Sequence, residues 1–160
     1  MIIKDFTPAS NVYSGKAIAH APLVPAHVSD IGNWTPLLFD TEKGTYIGNW
    51  TSGTSPILDI TNGFFRFGIN IWAEISSNIF LLDPDATGWA ALRLTPWDLA
   101  NGVPGPAVIV AQAHFESGFA TVNWDGEVFN SDTVELLIDS NNIAVDVTGS
   151  VSCAAFGLGA

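Results

Sequence analysis

The sequence predicts an all-β domain, a sandwich or barrel of about ten short strands, on three observations. Runs rich in Val, Ile, Phe and Trp recur at close spacing, as half-buried pleated surfaces prefer. Clusters of Gly, Asn, Asp and Pro punctuate them, because Gly and Asn tolerate positive φ and Pro presets a turn angle. No segment carries three turns of helical period, and Trp97-Asp98-Leu99-Ala100 reads as one helical turn at most.

Residues 1–33 stand apart. They hold three of the nine prolines, two of the three histidines and two of the five cations, with no sustained period. Ala21-Pro22-Leu23-Val24-Pro25-Ala26 reads as extended chain, since proline removes a backbone donor and biases its predecessor away from helix. Two readings are open: a loose first strand with a frayed tail, or an extended N-terminal arm that lies on a partner and whose removal leaves a folded core. The domain proper spans 34–160, with strands at 34–39, 45–50, 56–60, 63–75, 89–95, 107–114, 118–124, 132–138, 143–148 and 151–158. The sharpest alternation is at 63–72. Phe65, Phe67, Ile69 and Ile71 form the core side, and Phe64, Arg66, Gly68, Asn70 and Trp72 form the other. Two aromatics beside Arg66 and Asn70 on one strand face point to a second protein surface against it.

Composition narrows the function classes. At 160 residues the chain suits one domain that needs no disulfide or metal staple. Hydrophobic residues make up 48% and charged residues 13%, which excludes disorder and leaves part of the surface for other protein to cover. Sixteen acids against five bases give a net charge of −11, and an acidic surface repels phosphate backbones, so no nucleic-acid partner is expected. Cys153 is the only cysteine, which rules out an internal disulfide and a thiolate metal cage. No run approaches the roughly 20 apolar residues of a membrane span. An acid at the fifth position and no long apolar run predict no secretion signal, and synthesis in a host cytoplasm.

Three stretches resemble the trimeric jelly rolls of the tumour-necrosis-factor and complement-head superfamily. Gly63-Phe64-Phe65-Arg66-Phe67-Gly68-Ile69 is similar to its Gly-x-Tyr-x-Phe-x-aromatic strand. Asn130-Ser131-Asp132-Thr133-Val134-Glu135-Leu136 resembles its Gly-Asp-x-Val-x-Leu strand, with Ser131 where the family has Gly. Ala155-Phe156-Gly157-Leu158 resembles its Phe-Gly-aliphatic final strand. The resemblance implies a ten-strand jelly-roll sandwich and a homotrimer. It places Phe65, Phe67, Phe156 and Leu158 in the core, and turns Phe64, Arg66, Gly68, Asn70, Ala155, Gly157 and Gly159 toward neighbouring subunits; Trp72 joins this expected interface as part of the 64–72 face.

No nucleophile elbow, phosphate loop or zinc-protease motif occurs, so no catalytic residue, cofactor or metal is expected. His114 reads as a structural histidine and Cys153 as a small buried apolar residue. Asp83-x-Asp85 near Asn78 reads as a solvated turn rather than a calcium loop. The expected function is that of a capsid decoration or cement protein: a structural protein on the surface of a bacteriophage virion, binding the major capsid protein of the head as a homotrimer. Ile2, Phe6, Tyr13, Leu23 and Val24 are its candidate docking residues. The alternative is the receptor- or carbohydrate-binding head of a phage fibre, using loops that carry Trp89 and Trp97.

Overall fold

In the computed structural model, residues 16–47, 51–52, 55–56, 58–68 and 70–156 are described. The strands are β1 (Lys16–Pro22), β2 (Ala26–Val28), β3 (Thr35–Pro36), β4 (Thr45–Ile47), β5 (Thr51–Ser52), β6 (Ser55–Pro56), β7 (Leu58–Ile60) and β8 (Phe65–Phe67). After them come β9 (Ile71–Leu81), β10 (Gly88–Thr95), β11 (Trp97–Asp98), β12 (Val103–Pro104) and β13 (Val108–His114). The last three are β14 (Phe119–Val128), β15 (Thr133–Ser140) and β16 (Val145–Phe156). Two antiparallel sheets form the sandwich. The first has the order β14-β9-β16-β1-β4, with β2 also on β16; the second has β13-β10-β15-β8-β7, with β3 on β15.

The core lies between them and follows from the period-two pattern. Ile71, Ala73, Ile75 and Ile79 of β9, Val122 of β14 and Val151 and Cys153 of β16 point inward from the first sheet. Phe65 and Phe67 of β8, Leu92 of β10 and Leu136 and Ile138 of β15 meet them from the second. The Phe39 and Phe65 rings lie 5.2 Å apart within this core. Each fully buried Phe, Leu or Ile contributes roughly 1.5–3 kcal/mol. Burial pushes the Cys153 thiol up, so it stays neutral.

Several expectations need correction. The run 63–75 is not one strand: β8 belongs to the second sheet, and the chain crosses at Gly68–Asn70 to begin β9 in the first. Alternation survives the crossing because both halves bury their odd residues in the same core, so one period runs through two sheets. The expected strand also ends at Ile75, whereas β9 continues through Ser76, Ser77 and Asn78 to Leu81. Conversely, the two strands expected at 143–148 and 151–158 merge over the described residues into one, β16, Val145–Phe156. Gly149, between the two expected strands, lies within it at φ 150°, and a Cβ there would overlap the Asn78 carbonyl oxygen. Finally, Lys16–Pro22 pairs with β16 along its whole length and is an inner strand of the first sheet. Removing residues 1–33 would therefore take out a structural strand as well as any arm.

Candidate assembly face and outer-sheet pocket

The outer side of the first sheet is a ladder of matched pairs. Across β9 and β14, Trp72 faces Glu127, Glu74 faces Asp125, Ser76 faces Asn123, Asn78 faces Thr121 and Phe80 faces Phe119. Ser76 donates to Asn123 Oδ1 at 2.9 Å, and Thr121 donates to Asn78 Oδ1 at 3.1 Å. On the other flank of β9, Phe156, Ala154, Ser152 and Ser150 of β16 stand beside Trp72, Glu74, Ser76 and Asn78. Ile18 and His20 of β1 extend the rows beside Ala154 and Ser152. The face is thus small and polar in the middle and aromatic at both ends. At one end the Phe80 and Phe119 rings lie 5.0 Å apart, 46% and 40% exposed, with Leu82 beyond them 70% exposed.

Of the expected subunit-contact residues that are described, only Trp72 lies on this face. Phe64 and Arg66 lie on the outer side of the second sheet, while Gly68 and Asn70 sit at the crossover, where Asn70 Oδ1 accepts from the Asn130 amide. Ala155 is wholly buried and Phe156 points outward, the reverse of the expected phase. The final strand keeps its alternation through Gly149, and this sets Val151, Cys153 and Ala155 inward. Gly157, Leu158 and Gly159 lie outside the described residues, as do Ile2, Phe6, Tyr13 and Ile69. Leu23 is packed in the core and is unavailable for docking, whereas its neighbour Val24 is exposed beside exposed Leu38.

The second sheet finishes its outer side with its own side chains. Arg93 donates to Glu135 Oε2 from Nε at 3.0 Å and from the terminal nitrogen at 2.8 Å. Trp89 lies under His114 with ring centroids 3.4 Å apart, so one of its faces is already occupied. Near Phe64 and Arg66, the β11–β12 hairpin closes a pocket of about 350 Å³ lined by Thr95, Pro96, Trp97, Pro104, Ser131 and Thr133. Buried Asp132 positions this wall: Oδ1 accepts the Trp97 amide at 3.0 Å and Oδ2 accepts the Phe129 amide at 2.9 Å. That accounts for the acid in the 130–136 motif. Ser131 has φ 73°, the left-handed conformation for which the family pattern carries Gly.

Other candidates are held by local contacts. His27 Nδ1 lies 2.8 Å from Asp146 Oδ1, both exposed. Asp83 Oδ1 accepts the Asp85 amide in its turn, while Asn78 belongs to the β9 face. Hydrogen bonds from Asn101 hold the Asp98 carboxyl below its ordinary range. Among the described residues, no group of three or more His, Cys, Asp or Glu is placed to hold a metal, and no helix is long and apolar enough to cross a membrane.

No protein-family model matches the chain, and no curated protein matches it. Solved structures do. Vertex protein P5 of PRD1 aligns with TM-score 0.57 and 8% identity, over 90% of this chain and 98% of that one. Eiger TNF from S. frugiperda aligns with TM-score 0.54 and 12% identity, over 92% and 96%. Murine APRIL aligns with TM-score 0.51 and 13% identity, over 85% and 98%. At such identities the likeness is one of fold: this chain is an all-β jelly roll of the kind shared by these tumour-necrosis-factor-type proteins and a viral vertex protein.

Proposed function

We propose that this chain is a non-catalytic structural subunit of a phage particle, which self-associates as a homotrimer and decorates the head shell. The observation that carries the reading is the outer face of the first sheet, with its aromatic ends and small, hydrogen-bonded centre. A sheet face whose central residues Ser76, Asn123, Ser152 and Ala154 are short leaves a shallow depression into which a second copy can pack, and the exposed Trp72, Phe80 and Phe119 supply apolar area to bury. The likeness to a vertex protein supports placing such an assembly on a virion. Three copies would bind a shell through several modest contacts acting together, which raises avidity by effective concentration. The −11 charge per chain would keep a crowded particle surface soluble. Val24 is the docking candidate among the described residues.

Light scattering on the purified chain tests self-association. The expected mass is three times the 17.0 kDa of one chain. Replacing Phe80 and Phe119 together by Ser is expected to return it to a single chain with the fold intact. A monomeric parent protein would overturn the trimer. Mass spectrometry of purified virions tests the particle assignment, which absence of the chain from them would overturn.

A further inference from the structure

We infer that the pocket on the second sheet is a binding site for a carboxylated sugar unit, separate from self-association on the opposite sheet. Its walls are the rings of Phe64, Trp97, Pro96 and Pro104, and Thr95, Ser131, Thr133 and Arg66 provide its polar groups. A pyranose has an apolar face that stacks on an aromatic ring and an edge of hydroxyls that pair with Ser and Thr. A volume of about 350 Å³ sits at the small end of ligand pockets and suits one or two sugar rings.

Arg66 decides the class. Arg66 lines this pocket and, among the described residues, makes no ion pair, whereas Arg93 is held by Glu135 and Lys43 lies near Asp40. Asp59 is its cross-strand neighbour on β7 and lowers the local positive potential. One guanidinium offset by one nearby acid, on a chain of net charge −11, favours a singly charged carboxylate over a phosphate dianion. The guanidinium also matches a carboxylate bidentately, which a neutral sugar cannot exploit.

The wall is preorganised. Trp97 pairs with Pro104 across the hairpin, and Asp132 fixes its amide. Gly105 donates to Pro96 and Gly102 to Asp98, and the Asp98 side chain accepts the Ala100 and Asn101 amides. Little ordering remains to be done on binding, which favours affinity for a small ligand.

The test is saturation-transfer NMR and titration of the whole chain with sodium D-glucuronate, D-glucose and a proline-rich decapeptide. Glucuronate is expected to bind at least 10-fold more tightly than glucose. Arg66→Gln should abolish that preference, while Trp97→Ala weakens both sugars at least 10-fold. Should Trp97→Ala fail to fold, Trp97→Phe, which keeps a stacking ring, should retain the glucuronate preference that Arg66→Gln loses. Equal affinity for the two sugars, unchanged preference in Arg66→Gln, no glucuronate binding at about 10 mM, or tighter binding of the peptide would each overturn the site.

Discussion

On the first sheet, the outward residues of β9 and β14 meet one another and solvent, and aromatic rings stand exposed at the ends of the rows. On the second sheet, Ala91 and Leu137 point away from the central core and are nevertheless wholly buried, flanked along their strands by Trp89, Arg93 and Glu135. Both sheets use the same alternation and fill the same core. They differ in whether the chain covers its own outer surface. A half-buried Arg–Glu pair and a stacked Trp–His pair finish one side internally, each contributing up to about 1 kcal/mol. The other side keeps Trp72, Phe80 and Phe119 exposed, which is where we propose a second copy packs, and the pocket on the covered side is a gap between a hairpin and its sheet.

The largest expected effects test whether the two sheets can be disturbed separately. Gly149 in β16 and Gly88 at the start of β10 each have positive φ, and each lies where a Cβ would overlap a neighbouring strand's carbonyl, of Asn78 and Asp139 respectively. Gly149→Ala and Gly88→Ala should each lower stability by about 3 kcal/mol, measured by urea unfolding. Gly149→Ala distorts the ladder of the first sheet, so it should also weaken self-association, while Gly88→Ala leaves the mass unchanged in mild conditions. The opposite pattern would assign assembly to the second sheet.

A smaller effect isolates the hairpin side. Asp132→Ala leaves the Trp97 and Phe129 amides without an acceptor and should cost about 2–3 kcal/mol. Asp132→Asn, which keeps one carbonyl oxygen, should cost roughly half as much. A loss below about 1 kcal/mol for the alanine variant would show that the carboxylate does not organise the wall. The smallest effect is a gain: Ser131→Gly relieves a left-handed residue and should raise stability by up to about 1 kcal/mol, read as a higher thermal midpoint.

Much of this fold is legible along the chain, and the reasons are local. Phe65 and Phe67 alternate with exposed or half-exposed neighbours, and Val134 does the same in the strand they pack beside, between half-buried Thr133 and Glu135. Ser131-Asp132 carries a turn and its acceptor within two residues, so it reads as a motif. The proposed assembly face is less legible because Ser76, Asn78, Thr121 and Asn123 look like ordinary solvated residues until β9 and β14 are aligned. The pocket proposed to take a sugar is less legible still, since Phe64, Trp97 and Ser131 come from three separate parts of the sequence. Trp97 alone was visible as an aromatic in a loop.

The sequence by itself determined that the chain is all-β, that Phe65, Phe67 and Ile71 face a core, and that its composition is acidic. These follow from side-chain alternation and composition, which need no partner strand. Only the tertiary structure decided which sheet each outward residue joins. Period two fixes the side of a strand on which a residue stands but not the sheet to which that strand belongs. The crossover at Gly68–Asn70 therefore carries Arg66 to one surface of the molecule and Trp72 to the other.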